Sequence, residues 1–155
     1  MLEQIVKKYV PFKGIYNSDG FDENGRITIP KNLIDTLQER QDTEEKGKLV
    51  LFYRLHTNEV PRYLELTDYF TKNEYVNFSR YKLISQLDKS SRILITPNDL
   101  NKIIEAHTPI VFVGSKNKIL IYKAEDYKSI EPLSFDALWN IGVRLLESYS
   151  LPKLN

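Results

Sequence analysis

Phe21-Asp22-Glu23-Asn24-Gly25-Arg26-Ile27-Thr28-Ile29-Pro30 returns later in the chain as Leu87-Asp88-Lys89-Ser90-Ser91-Arg92-Ile93-Leu94-Ile95-Thr96-Pro97. Asp22 matches Asp88, Arg26 matches Arg92, and Ile27 and Ile29 match Ile93 and Ile95, all at one shift, 92 − 26 = 66. The second copy holds one extra residue before its proline. The likeness extends outward. Leu33, Ile34 and Leu37 follow the first copy at helical spacing, as Leu100, Ile103 and Ile104 follow the second. Leu49-Val50-Leu51-Phe52-Tyr53 corresponds to Ile110-Val111-Phe112-Val113, and Asp68-Tyr69 to Asp126-Tyr127. Matches in the same order along both stretches indicate an internal duplication.

Each copy reads physically. Asp at the first position and Gly at the fourth give Asp22 to Gly25 the chemistry of a type I turn. Asp22, Gly25 and Asp88 are therefore expected to shape turns and make no contact with a ligand. From Arg26 to Ile29 polar and apolar residues alternate, as in a half-buried strand. Thr96 as N-cap, Pro97 at N1 and Asp99 at the capping-box position predict an amphipathic helix of about ten residues. The apolar runs after it form a strand pair around Gly114-Ser115-Lys116-Asn117-Lys118, a hairpin turn by composition. Each half thus reads strand, turn, strand, helix, strand, turn, strand. Ser91 stands where the first copy has Gly25, and a positive φ there would cost about 1 kcal/mol.

At 155 residues the chain suits one domain, or two half-size units sharing a core. No apolar run approaches the roughly 18 residues of a membrane span. Met1 to Phe12 has no apolar segment of the secretory kind, so a soluble intracellular protein is expected. With no cysteine there is no disulfide, thiolate nucleophile or cysteine zinc site. The two histidines, His56 and His107, lie 107 − 56 = 51 positions apart, and neither has a second histidine at metal-ligand spacing. His107 is expected to complement the end of a helix, and His56 to be solvated. There is no Gly-x-Ser-x-Gly elbow, dinucleotide fingerprint or Walker loop. No catalysis, metal or cofactor is expected.

The motif Asp-x-x-Gly-Arg-Ile-x-Ile-Pro, followed by a short helix and a β-hairpin, resembles the SpoVT/AbrB family of DNA-binding folds. Two such units in one chain resemble the MraZ family of bacterial regulators of the division and cell-wall gene cluster. Phe12-Lys13-Gly14 is similar to the opening of those chains. Val111-Phe112-Val113-Gly114 with Ile119-Leu120-Ile121-Tyr122 is similar to their second-half hairpin. The likeness covers roughly residues 12–130 and is weakest through 55–76. It implies an α+β fold in which two AbrB-like swapped-hairpin units, each a double-split β-α-β, form a pseudo-dimer in one chain. The divisions it implies are an N-terminal extension (1–11), a first unit (12–76), a second unit (77–130) and a C-terminal helix and tail (131–155).

The resemblance also implies double-stranded DNA, as promoter repeats, for a partner, and a homo-oligomeric ring. It places Arg26 and Arg92 on the DNA-facing surface, with Lys13 as a third candidate. Arginine's rigid fork of donors suits phosphate or a guanine edge. Lys89 adds charge beside Arg92, and Lys31, Lys7 and Lys8 are further candidates for phosphate. The bland alternative is that Arg26 pairs with Asp22 and Arg92 with Asp88. Lys116 and Lys118 read as a solvated hairpin tip. Tyr75, Phe78, Arg80 and Tyr81 read as a bridging helix packed in the core, and the apolar spacing from Ser134 to Leu151 as a terminal helix. Neither a membrane nor a small-molecule substrate is expected, and the location would be the cytoplasm, associated with the nucleoid. With 22 basic and 21 acidic residues, the net charge of +1 shows no overall basic footprint. Two rivals stay open: a dimeric AbrB-type regulator, and an interaction scaffold that does not bind DNA.

Overall fold

A computed structural model describes residues 5–71, 73–74, 78–84 and 87–130. The chain is mixed α+β, with strands β1 (Ile15–Ser18), β2 (Arg26–Thr28), β3 (Leu51–His56), β4 (Tyr63–Thr67), β5 (Lys82–Ile84), β6 (Arg92–Leu94), β7 (Ile110–Ser115) and β8 (Lys118–Lys123). The described α-helices include α1 (Lys31–Gln41), α2 (Pro97–Leu100) and α3 (Ala124–Ile130). All the strands belong to one compact unit, Met1–Ala124, and a second unit begins at Glu125. The expected C-terminal helix lies outside the described residues. No helix among the described residues is long and apolar enough to cross a membrane.

Six strands form one sheet in the order β1-β7-β8-β4-β3-β5, and β2 pairs with β6 in a separate ribbon. Every pairing is antiparallel. The six-strand order is palindromic when the repeats are interchanged, with β1 answering β5, β7 answering β3 and β8 answering β4. Strands from the two halves also pair with each other. β1 from the first half lies on β7, with Ile15 opposite Val113, and β5 from the second lies on β3, with Tyr53 opposite Lys82. Neither half completes its strand pairing alone, so the hydrophobic core is shared. Leu33, Ile34 and Leu37 of α1 pack in one cluster with Leu51, Leu64, Ile110, Phe112 and Ile121. Fully burying such a side chain contributes about 1.5–3 kcal/mol.

Helix α1 carries several good helix formers, Leu33, Leu37, Gln38, Glu39 and Arg40, and ends where Asp42 adopts a left-handed conformation at φ 52°. The second helix departs from expectation. It is only one turn long, and Thr96 makes no side-chain cap. Asn98, Asp99 and Asn101 are weak helix formers because their side chains compete for backbone partners. The Asp99 carboxylate is also drawn off the helix, accepting hydrogen bonds from Tyr53 Oη (2.8 Å) and Lys82 Nζ (2.6 Å). The bridging helix over 75–81 is likewise corrected in its described part. Phe78–Arg80 is a single 3-10 turn, after which Lys82–Ile84 is committed to the sheet. Tyr81 is buried, as expected, in a small cluster with Phe52 and Phe70.

Candidate nucleic-acid interface

The repeated motif meets itself in the β2–β6 ribbon. Ile27 lies directly opposite Ile93, flanked by Arg26 opposite Leu94 and Thr28 opposite Arg92. Both isoleucines are buried, while Arg26, Thr28, Arg92 and Leu94 are exposed. A two-residue side-chain period therefore puts both arginines on one outward face. They are diagonal neighbours, about 7–8 Å apart in standard antiparallel geometry.

The turns that launch the two strands match bond for bond. Asp22 accepts from the backbone N–H of Asn24 (2.9 Å) and Arg26 (2.9 Å). Asp88 accepts from those of Ser90 (2.8 Å) and Arg92 (3.0 Å). The Gly25 N–H closes its turn on Asp22 O at 3.0 Å, and the Ser91 N–H closes its own on Asp88 O at 3.0 Å. Across the ribbon, Ile95 N donates to Gly25 O and Ile29 N to Ser91 O, both at 2.9 Å. Asp22 and Asp88 thus tie down their turns through side-chain bonds, and Gly25 does so through its backbone N–H. The Arg26 N–H above all holds the Asp22 carboxyl below its usual range, and the Arg92 N–H does the same for Asp88.

Ser91 does carry the positive φ that a glycine would favour. Gly25 sits at φ 82° and Ser91 at φ 62°. The serine has moved into the left-handed well that L-residues tolerate, near +57°. A Cβ on Gly25 would lie 1.9 Å from Ile95 O, so the two turns agree in bonding but not in the room they leave.

The two arginines differ in freedom. Among the described residues the Arg26 guanidinium makes no hydrogen bond or ion pair, whereas Arg92 Nε donates to Asp88 Oδ2 at 2.7 Å. The pairing alternative thus describes Arg92 and not Arg26. Lys89 is exposed in the second turn, and its carbonyl faces Lys46 Nζ at 3.5 Å. Lys31 is exposed at the start of α1 and paired with Asp35 at 2.9 Å. Lys13 is exposed elsewhere, beside the β7–β8 turn, where Phe12 bridges Lys116. So Arg26, Arg92 and Lys89 share the ribbon, and Lys13 does not join them.

Other polar residues have roles that sequence reasoning missed. His107 does not complement a helix end, because α2 stops at Leu100. It sits at φ 59°, its N–H donates to Phe21 O at 2.7 Å, and its ring bonds Glu23 in the first turn. His56 is not solvated: it bonds Glu65 at 2.7 Å and stacks on Tyr63. Lys118 is no solvated tip either, since it donates to Glu65 at 2.6 Å and pairs with Glu74. Burial pushes the Glu65 carboxyl up, but the bonds from His56, Lys118 and Tyr81 together outweigh it and bring it down to about 2. Burial also pushes the Tyr81 hydroxyl up, to about 12, aided by its bond to Glu65. Arg40 and Asp68 form a completely buried ion pair at 2.8 Å, and Arg40 also donates to Val10 O at 2.7 Å. Among the described residues no group of three or more His, Asp or Glu is placed to hold a metal. No protein-family model matches the chain, and no curated protein does.

Proposed function

We propose that the chain is a MraZ-like, sequence-specific DNA-binding transcriptional regulator of a division and cell-wall gene cluster. In this reading it acts in the cytoplasm, at the nucleoid, without catalysis or cofactor. The observation that carries the reading is the β2–β6 ribbon, on which two copies of one turn hold two arginines toward solvent. A two-stranded ribbon fits a major groove about 12 Å wide, and an arginine fork can grip a guanine edge or a phosphate there. The strand exchange of β1 with β7 and β5 with β3 supports a pair of swapped-hairpin, AbrB-like units acting as a pseudo-dimer.

The low net charge of +1 limits what one protomer contributes. A few phosphate contacts give a shallow salt slope, about −0.9 per contact. Binding of repeated promoter elements by a ring of protomers makes each later contact intramolecular, raising avidity by about 10²–10⁴. The test is a titration of the full chain against duplexes with one, two or three copies of an upstream repeat, at two salt concentrations. Affinity rises steeply with repeat number, and about five base pairs inserted between repeats, half a helical turn, remove most of the gain. Equal affinity for one repeat and three would refute the multivalent mechanism. Light scattering should meanwhile report many 18.2 kDa protomers per particle. The Arg92–Asp88 pair favours one rival, a scaffold that has lost DNA affinity, and that rival predicts no complex even at low salt.

A further inference from the structure

A cavity of about 280 Å³ opens at the β5 edge of the sheet, and no residue of the ribbon lines it. Its walls come from three places. Tyr53, Arg54, Leu55 and Thr57 belong to β3 and the residue just past it, Arg80 and Lys82 to the approach and start of β5, and Asp99 and Lys102 to α2 and the turn after it. The pairing of β5 with β3 stops at Tyr53 opposite Lys82. From Arg54 onward β3 has no strand partner on that side among the described residues, and this leaves the concavity.

Its charge is unusual for this chain. Four cations line it against a single carboxylate, an excess of three positive charges in a protein whose net charge is +1. Asp99 is already occupied, bonding Tyr53 Oη and Lys82 Nζ and lying 3.6 Å from Lys102 Nζ. It fixes the two lysines along one wall without neutralising the arginines. Arg54 lies over the Tyr81 ring at 5.7 Å. Neither Arg54 nor Arg80 makes a hydrogen bond or ion pair among the described residues. Two arginines with no hydrogen bond or ion pair among the described residues, lining one concave site, offer guanidinium forks that suit the oxygens of a phosphate better than a point charge does. The volume lies just below the usual range for small-molecule sites, about 300–1,000 Å³, so the ligand is small.

We propose that this cavity is a binding site for a small phosphorylated molecule, whose phosphate is held by Arg54 and Arg80 with Lys82 and Lys102 behind them. The site is independent of the ribbon and stands whether or not the ribbon binds DNA. The experiment is calorimetric titration of the full chain with pyrophosphate at fixed ionic strength. Saturable binding at one per chain is expected. The double variant Arg54→Gln/Arg80→Gln, and more weakly Arg80→Gln alone, should lose affinity, the double by about tenfold or more. Their melting temperature should stay near that of the parent, because neither guanidinium makes a hydrogen bond or ion pair among the described residues and Arg54 gives up only its contact with the Tyr81 ring. Lys48→Gln/Lys116→Gln removes the same charge from exposed residues that do not line the cavity, and should leave affinity within about twofold. Three results would overturn the proposal. One is the absence of saturable binding by the parent, and another is equal weakening by both double variants. The third is a duplex-DNA affinity that depends on Arg54 and Arg80 in a chain that ignores pyrophosphate, which would make the cavity a contact for nucleic-acid phosphate.

Discussion

Replacing Gly25 by alanine and Ser91 by alanine should give very different results, although the two residues hold equivalent places in equivalent turns. At Gly25 the new Cβ would meet a backbone oxygen, Ile95 O, at 1.9 Å. Relief requires the ribbon to part at that end, and the bond from Ile95 N to Gly25 O (2.9 Å) lies in the way. Left-handed strain in an L-residue costs about 1–2 kcal/mol, and a buried hydrogen bond lost with its partner unsatisfied costs about 1–3 kcal/mol. The smaller entropy of the unfolded alanine chain returns about 0.4–1 kcal/mol. Gly25→Ala should therefore destabilise the fold by about 1–4.6 kcal/mol. Ser91→Ala keeps both the existing Cβ and φ 62°, so its effect should fall within about 1 kcal/mol. Urea unfolding followed by far-ultraviolet circular dichroism measures both. Equal losses at the two sites, or a loss below about 1 kcal/mol at Gly25, would refute the steric argument.

Other outcomes follow from single side chains. Arg40→Met should destabilise by about 3–5 kcal/mol, because Asp68 is left buried without its ion pair. The double variant Arg40→Met/Asp68→Leu should recover most of that loss in the same unfolding assay. Glu65 titrates at about 2 in the fold against an ordinary 4.5, so the folded state binds fewer protons. Its contribution is complete above about pH 4.5 and is lost as pH falls toward 2; Glu65→Gln should flatten that acid limb in a stability profile. If the ribbon reads base edges, Arg26→Ala should weaken DNA binding by about 1–3 kcal/mol. Arg92→Ala should cost less, since Arg92 must first leave Asp88 (2.7 Å), and a filter-binding comparison ranks the two.

Much of the ribbon was legible in the sequence because its determinants are local. Asp22 and Asp88 bond N–H groups two and four residues on, and alternation alone puts Arg26 outside and Ile27 inside. The hairpin of β7 and β8 was legible for the same reason. The rest depended on partners far along the chain. Arg40 finds Asp68 across 28 positions, and Lys118 finds Glu65 across 53. No periodicity marks such pairs, so His56 and Lys118 looked like solvated polar residues. Asp99 was read as a helix cap because the cap is the local solution, and its actual partner Tyr53 is 46 positions away. The cationic cavity escaped for that reason too, since its residues come from three separate segments.

The ribbon joins two strands of one polypeptide, where two identical subunits could have supplied one strand each. A homodimer must show every residue twice, so any change on one side of its axis is imposed on the other. Fusion lifts that constraint. One turn can keep a glycine while its counterpart carries a serine, one arginine can be tethered while the other stays free, and Thr28 can occupy the place that Leu94 takes across the axis. The exposed face of the ribbon is thereby polar at one corner and apolar at the other, and it has a direction. A surface with a direction can distinguish the two ends of whatever it meets, which a strictly twofold surface cannot do.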